Sequence, residues 1–368
     1  MTTITQDTPF TPEDDTFHRL SDDPYETETN WWAFNVPERK LGCWVHAAVK
    51  PNQGPAGFEK GAGFEKNGNG MVTWRIFVWD EKGAHPMHLA YYRNVTAEMP
   101  AHADLRDIEF PAGGYKLKML KPLMNYAVSY SDPERNFALD FEFNAFHAPR
   151  RATPGEPPAM FNPHLDQLGR FTGVLTLKGE RIPFDGLGVR DRTWGPRGGP
   201  HFSSQKPKYK SENTQRVLHP GGARWREIER ERGRGRLQYI FGHTDERTGF
   251  LSFVRPQDGD ADGWSPMNNG WLLRDGIFSN VDKTKSRMKN FRDPMTGWSQ
   301  HMQVEVTDVL GRTMAAEGFC VSHMCEHGDG SNALMRWEID GKIGWGEDQD
   351  SWQPEHFRRM LDALRATR

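Results

Sequence analysis

The sequence predicts an all-β protein of two consecutive antiparallel β-barrel or sandwich domains, followed by a C-terminal helix. Short segments of β character recur along the chain, and turns rich in Gly, Pro and Asn separate them at even spacing. Helical periodicity is confined to the last residues. The 368 residues exceed the size at which one hydrophobic core usually keeps growing, so we expect two domains.

Residues 1–30 are acidic and polar, and we expect them to form an N-terminal arm. The first β-domain is predicted to span residues 31–197. Its predicted strands are Leu41–Lys50, Met71–Trp79, Met87–Tyr92, Gly114–Leu120, Tyr126–Ser131 and Asn136–Phe146. The last of these alternates, with aromatic and aliphatic residues on one face, which is typical of a half-buried antiparallel strand.

A Pro-rich link at residues 148–158 is predicted to lack regular structure. After it, Phe171–Lys178 and Glu180–Arg190 are predicted to form a hairpin that turns at Lys178 and Gly179.

The second β-domain is predicted to span residues 198–368. Its strands are expected at Leu237–His243, Gly249–Arg255, Trp271–Arg274, Ile277–Val281, Lys285–Phe291, His301–Val309, Thr313–His323 and Ala333–Ile339. A helix should follow, with Pro354 in its first turn. Its apolar stripe, which we expect to pack on a barrel, is Phe357, Met360, Leu361 and Leu364.

The charge balance restricts the class of partner. Net charge is -3, with 47 basic and 50 acidic residues, so no long-range attraction to nucleic acid or anionic lipid is expected. Three cysteines do not make a disulfide framework. The N-terminal residues lack a signal-peptide pattern, and no apolar stretch approaches the roughly 20 residues that span a bilayer. We therefore predict a cytoplasmic protein without stable membrane insertion, and leave open a homodimer.

Aromatic residues dominate the apolar part of the sequence. The chain has 13 Trp and 22 Phe, while all hydrophobic residues together make up only 36%. This composition has two interpretations, which are compatible with each other. The rings fill small hydrophobic cores, or they line an apolar cavity that binds a hydrophobic small molecule.

The most informative segment is G-L-G-V-R-D-R-T-W-G-P-R, Gly186–Arg197. Charged groups near a core must pair or form hydrogen bonds to offset their lost hydration. If Asp191 faces a cavity, strand alternation turns Arg190 and Arg192 to the other face, and we expect Trp194 to share the face of Asp191. Asp191 is then a candidate proton donor, supported by Trp194, Arg192 and Arg197. Alternatively, Asp191 pairs with an arginine and fixes the end of a strand.

A second polar cluster lies upstream in N-P-H-L-D-Q-L-G-R. His164 and Asp166 are two residues apart, so both can face the same side and act as a general base. Gln167 is a candidate for orienting a hydroxyl or carbonyl group of the substrate. The alternative is a hydrogen-bonded lock of a loop.

Motifs for cofactors and metals are weak. No nucleotide- or flavin-binding glycine motif, nucleophile elbow or H-E-x-x-H is present, and we predict no cofactor and no metal. The run around Cys320, His323, Cys325 and His327 places four potential metal ligands close together but is a weak candidate for a metal site. On a regular strand, Cys320 would face away from the other three side chains.

The chain resembles the carotenoid 1,2-hydratase and AttH-like (hydroxyneurosporene-synthase-like) family. The resemblance rests on H-L-D-Q-L-G-R-F-T-G-V-L-T-L-K-G-E at His164–Glu180 and on D-G-L-G-V-R-D-R-T-W-G-P-R at Asp185–Arg197. It implies two lipocalin-like β-domains and cofactor-free chemistry on apolar molecules, namely hydration of isoprenoid double bonds or cyclisation. Asp191 is the closest match to the acids that protonate carbon in that family.

We therefore predict a cofactor-independent lyase that acts by acid–base catalysis on a hydrophobic aryl or isoprenoid molecule. Hydration, dehydration, carbon–carbon cleavage and cyclisation remain open. The alternative is a non-catalytic, lipocalin-like carrier of an apolar ligand. A weaker third interpretation is an assembly protein whose aromatic residues form an interface.

Overall fold

The computed structural model describes residues 10–18, 26–51, 70–81, 89–100, 103–151, 164–196, 236–254, 263–325, 330–352 and 366. Strands account for most of them, which confirms the all-β prediction. The strands are β1 (Glu26–Val36), β2 (Leu41–Lys50), β3 (Met71–Trp79), β4 (Tyr91–Glu98), β5 (Asp107–Phe110), β6 (Tyr115–Lys121), β7 (Asn125–Asp132), β8 (Phe137–Ala145), β9 (Arg150–Arg151), β10 (His164–Leu177), β11 (Glu180–Pro196), β12 (Arg236–Asp245), β13 (Thr248–Val254), β14 (Trp264–Arg274), β15 (Ile277–Asn280), β16 (Arg287–Arg292), β17 (Ser299–Thr307), β18 (Thr313–Cys325), β19 (Gly330–Ile339) and β20 (Lys342–Trp352). Short 3-10 turns lie at Pro12–Asp15, Pro37–Arg39 and Pro133–Arg135.

The first sheet is an open half-barrel of 11 strands, in the order β4-β3-β2-β1-β11-β10-β8-β7-β6-β5, with β9 paired to β10. Its centre is the predicted hairpin of β10 and β11. Lys178 and Gly179 both have positive φ, at 54° and 84°, as a tight two-residue hairpin turn requires. The hairpin is longer than predicted, because β11 continues from Glu180 to Pro196.

Aromatic rings fill the concave core of this sheet. Trp32 contacts Phe141, Phe143 and Phe171 at ring-centroid distances between 5.3 and 6.4 Å, and Phe34 stacks on Phe171 at 4.9 Å. The alternation predicted for β8 is confirmed, because Phe137, Leu139, Phe141 and Phe143 are buried and the residues between them are not. The core-filling interpretation of the aromatic composition thus holds in this unit.

The second sheet closes into a barrel. Its order is β13-β12-β20-β19-β18-β17-β16-β14, and β14 pairs back with β13, while β15 pairs with β14 at the edge. Methionines and Trp337 fill much of the interior core, including Met267, Met288, Met302 and Met335. Unbranched thioether side chains adapt to irregular gaps in such a core.

Several sequence predictions need correction or lie outside the described residues. Arg150–Arg151 forms a two-residue strand within the link that was predicted to be irregular, because these residues pair with Leu165 and Asp166 of β10. Strand β4 begins later than predicted, and β1, β5 and β20 were not predicted. The C-terminal helix and the boundary at residues 197 and 198 fall on undescribed residues and stay predictions.

The chain divides into two compact units: residues 1–34, 43–77 and 91–228, and residues 35–42, 78–90 and 229–368. The domain bounds proposed from the sequence differ from these in detail and are retained as a proposal. In the described part of the chain, no helix has the length and apolar character needed to cross a membrane.

Candidate functional site

The register of three neighbouring strands decides which side chains meet. Asp191 of β11 lies opposite Asp166 of β10 on one side and opposite Trp31 of β1 on the other. Residues directly opposite each other in an antiparallel pair project to the same face. We call this face, with His164 and Thr193 as the next opposed pair, the acid face.

The acid face carries a cluster of two carboxylates and one imidazole. His164 Nε2 lies 3.1 Å from Asp166 Oδ2 and 3.5 Å from Asp191 Oδ2. His164 Nδ1 lies 2.6 Å from the Thr193 hydroxyl oxygen. A nitrogen that faces a carboxylate acts as a donor, so we assign the proton to Nε2, and the Thr193 hydroxyl donates to Nδ1 of the neutral ring.

Exposure separates the members of the cluster. The Asp166 side chain is fully buried, whereas the His164 and Asp191 side chains are 20% and 16% exposed. The predicted pairing of His164 with Asp166 on one side of the strand is confirmed. Asp166 is therefore placed to orient the imidazole, while His164 and Asp191 can meet a small molecule.

The same three residues could hold a divalent cation. One ligand atom from each of His164, Asp166 and Asp191 lies within 4.8 Å of the others. Imidazole and carboxylate donors suit several transition metals. The geometry therefore fits both a proton-transfer cluster and a metal site, and the two uses need separate tests.

The opposite face of the same strands carries a buried ionic network, which we call the arginine face. Arg190 and Arg192 are 1% and 0% exposed. Arg190 pairs with Asp15, while Arg192 pairs with Asp15 at 3.2 Å and with Glu28 at 2.8 Å. The predicted separation of Asp191 from its two arginine neighbours is confirmed.

The placement predicted for Trp194 is wrong. Residues two apart on a strand share a face, so Trp194 lies with Arg190 and Arg192, and the Arg192 guanidinium is 5.3 Å from the Trp194 ring centroid. Phe10 and His18 pack on the same indole. Trp194 therefore does not stand beside Asp191.

Gln167 and Arg192 also lie away from the acid face. Gln167 accepts a hydrogen bond from Arg190 at 2.8 Å and donates to the carbonyl oxygens of Leu123 and His147. The structure does not bring either predicted substrate-binding residue to the acid cluster. Arg197, the remaining predicted support, lies outside the described residues.

Sequence reasoning missed three residues. Thr193 is two positions from Asp191 in the same strand, and this spacing could have revealed it. Trp31 supplies the indole beside Asp191, and its position depends on a strand pairing 160 residues away that no local pattern contains. Asp15 belongs to the segment predicted to form a polar arm, yet this residue is only 2% exposed.

The Cys320 segment differs from the regular strand that was assumed. A register shift between Cys320 and Ser322 turns the chain, so that Cys320 Sγ lies 3.2 Å from His323 Nε2. Burial raises the pKa of the Cys320 thiol and lowers that of His323. Both effects favour a neutral pair. Cys325 and His327 have no described side-chain positions.

The two sheets define a two-unit, lipocalin-like all-β protein. The model of the family described as a domain of unknown function, DUF7064, matches residues 11–206, which is more than half of the chain. The chain therefore belongs to the DUF7064 family. The matched range includes Asp15, His164, Asp166 and Asp191.

Two solved structures with TM-scores above 0.5 show the same fold at low sequence identity, and a third is a weaker match. A putative AttH from Nitrosomonas europaea has a TM-score of 0.56 and 13% identity, covering 95% of this chain and 98% of that chain. CghA with Sch210972 has a TM-score of 0.52 and 11% identity, with 89% of each chain covered. Kievitone hydratase from Nectria haematococca has a TM-score of 0.49 and 7% identity, with 94% and 96% covered. A search of the curated proteins finds no match.

Proposed function

We propose that this protein is a cofactor-independent lyase that performs acid–base chemistry on a hydrophobic small molecule. The observation that carries the proposal is the acid cluster, in which His164 Nε2 lies within 3.5 Å of carboxylate oxygens from both Asp166 and Asp191. Membership of the carotenoid hydratase group and a cytoplasmic location belong to the same proposal.

The cluster contains the groups for a complete proton cycle. In a hydration, Asp191 in its acid form gives a proton to an alkene carbon, and a carbocation results. Water adds to the cation, and its proton reaches His164 Nδ1 through the Thr193 hydroxyl, which forms an imidazolium that Asp166 stabilises. His164 then gives its Nε2 proton to Asp191 across 3.5 Å, and exchange of the remaining Nδ1 proton with solvent returns the ring to its starting tautomer. Dehydration is the same sequence reversed.

Aromatic residues make the surroundings of the cluster apolar. Trp31 lies next to Asp191, and its ring contacts Trp44 at 5.0 Å. Trp44 contacts Phe77 at 6.1 Å, and Phe77 contacts Tyr92 at 4.9 Å. An indole face attracts positive charge, so Trp31 is the residue that would steady a carbocation formed at Asp191. These four rings lie on β1, β2, β3 and β4, which are successive neighbours in the sheet on the side of β11 away from β10.

The fold neighbour CghA was solved with Sch210972, which supports small-molecule binding by proteins of this fold. Whether the substrate is aryl or isoprenoid is left to experiment. An apolar carrier remains the alternative, and it predicts binding without chemical change.

Mass spectrometry in heavy-oxygen water tests the proposal. Metal-stripped protein is incubated with a panel of apolar alkenes, aryl diols and terpenoid alcohols, and products are compared with substrates. We expect a product that has gained labelled water, lost water, or lost a carbon fragment. Ligand that binds but stays unchanged would replace the lyase by the carrier.

Asp191→Asn should lower turnover at least about 100-fold with unchanged folding, because the amide cannot serve as the acid. Asp185→Asn is the matched control, since this carboxylate lies on the same strand in an exposed pair with Arg170 at 2.8 Å. It should retain full turnover. Full activity in Asp191→Asn would exclude Asp191 as the proton donor.

Adding Zn²⁺, Mn²⁺ or Fe²⁺ to the stripped protein separates the two uses of the cluster. We expect activity without added metal. Activity that appears only with a cation, together with loss of cation binding in Asp166→Asn, would make the site metal-dependent.

A further inference from the structure

The arginine face contains a built recognition site for a carboxylate group. The Asp15 carboxylate is bound there by Arg190, Arg192 and the Tyr126 hydroxyl. Arg190 also lies over the Tyr126 ring, with 4.2 Å between the guanidinium carbon and the ring centroid. Each of these four side chains is no more than 2% exposed. The donors thus converge on one anion that is shielded from water.

The anion comes from a separate segment rather than from the sheet. Residues Phe10–His18, which we call the strap, precede β1 and belong to the first compact unit. Arg192 donates to the main-chain oxygens of Asp14 and Thr16 in the strap as well as to Asp15. The strap therefore offers a carboxylate between two carbonyl groups to the same guanidinium.

The strap also packs aromatic rings against the arginine face. His18 stacks on Trp194, with centroids 4.6 Å apart and planes at 10°, and Phe10 meets the same indole edge-on at 5.9 Å. Leu165 packs in the same cluster. The strap thus contributes a carboxylate together with adjoining aromatic groups to the arginine face.

The negative charge of Asp15 balances positive charge on the arginine face. On the arginine face, two guanidiniums meet the carboxylates of Asp15 and Glu28. Burial opposes ionisation of Asp15, but Arg190 and Arg192 outweigh it, so the pKa of this carboxyl lies below its ordinary value. Removal of Asp15 would leave a buried positive charge that another anion can neutralise.

We propose that the arginine face is a binding site for a small aromatic carboxylate, and that Asp15 of the strap is its internal ligand. A free carboxylate competes with Asp15 for Arg190, Arg192 and Tyr126 and releases the strap. The site is on the opposite face of β11 from Asp191, so it is distinct from the acid cluster.

Ligand rescue of Asp15→Ala tests this proposal, with benzoate as the probe and benzamide as its uncharged isostere at equal ionic strength. We expect the thermal midpoint of the variant to fall by roughly 6 to 12 °C, because a buried charge loses its partner. Millimolar benzoate should recover at least half of that fall in a saturable manner, and benzamide should recover none. Glu13→Ala removes an exposed neighbouring carboxylate and should respond to neither.

Hydrogen exchange on the unaltered protein gives the second measurement. Benzoate at saturation should speed exchange in residues 10–18 and leave β8 unchanged. Equal effects of benzoate and benzamide on Asp15→Ala, or no effect of either, would overturn the proposal. If Asp15→Ala does not fold, its refolding yield with each compound is measured instead, and a yield that benzoate fails to raise above benzamide has the same meaning.

Discussion

At the scale of single residues, alternation along β11 places the proposed catalytic acid and the buried ion pairs on opposite faces of the strand. Asp191 points to the acid face, and its neighbours Arg190 and Arg192 point to the arginine face. A strand can therefore carry a partly exposed acid and a buried ionic network on consecutive residues. The acid can stay partly exposed while the arginines are buried, because their side chains point to opposite faces.

Arg190→Ala should lower the free energy of unfolding by about 3–5 kcal/mol, because it removes one of the two guanidiniums that neutralise the buried Asp15 carboxylate. Urea unfolding measures the change. Arg170→Ala is the control, since Arg170 forms a pair with Asp185 in which the side chains are 42% and 58% exposed. Its cost should stay below about 1 kcal/mol. Similar losses in both variants would show that the network does not stabilise the fold as described.

Asp166→Asn should reduce kcat about 100-fold and leave KM nearly unchanged, because Asp166 orients His164 and is too buried to touch substrate. Steady-state kinetics on the substrate found in the panel measures both constants. A rise in KM at constant kcat would instead mean that Asp166 binds substrate.

At the scale of elements, close packing between strands fixes the register that builds the site. Gly188 of β11 lies opposite Phe34 of β1 and Gly169 of β10. A Cβ at Gly188 would approach the Ala33 carbonyl oxygen to 2.1 Å and Phe171 to 2.8 Å. Only the absence of a side chain allows the strands to approach here.

Gly188→Ala should therefore cost about 3 kcal/mol in the free energy of unfolding, since overpacking forces backbone to shift. Gly179→Ala provides a comparison, because a Cβ there meets nothing closer than Asn136 at 4.0 Å and only the positive φ is strained. It should cost about 1 kcal/mol. Both values come from denaturant titration, and equal costs would contradict the packing argument.

The elements also show where sequence patterns are informative. The hairpin at Lys178 and Gly179 was predictable, because turn chemistry and alternation are local signals. Strand β20 was not predictable, because Glu347, Asp348 and Asp350 give it the composition of a loop. It pairs with β12 and β19 within the barrel with these carboxyls buried, and Asp350 pairs with Arg292. Local propensity cannot reveal such compensation by distant partners.

The candidate site was only partly predictable for the same reason. His164, Asp166 and Asp191 were found from spacing and residue type within two segments. Trp31 reaches the acid face through a strand pairing across the sequence, and Asp15 reaches the arginine face through equally distant contacts, so no spacing rule identifies either residue. The placement of Trp194 failed for a simpler reason, since its three-residue separation from Asp191 already assigns it to the other face.

At the scale of the whole molecule, a buried imidazole sets a limit on stability in acid. His243 is 1% exposed, and burial lowers its pKa to about 3. The unfolded chain binds a proton there below about pH 6.5, while the folded chain does not. The contribution of neutral His243 to stability is therefore present above pH 6.5 and is lost as the pH falls toward 3.

Between pH 6.5 and 5 this one group should remove about 2 kcal/mol of stability. His243→Asn should lose that part of the pH dependence, whereas Thr244→Val, at the next position, should keep it. Urea midpoints at several pH values measure the slopes. An unchanged slope in His243→Asn would assign the acid sensitivity to other groups.

The contact between Asp15 and Arg190 joins residues 175 positions apart. During synthesis at about 5–20 residues per second, the strap leaves the ribosome roughly 10–35 seconds before its arginine partners exist. Strand β1 is likewise synthesised well before β11, the strand with which it pairs. The strap and β1 must therefore stay unassembled until β11 has emerged, so translation speed and chaperone protection over this interval bear directly on the yield of folded protein.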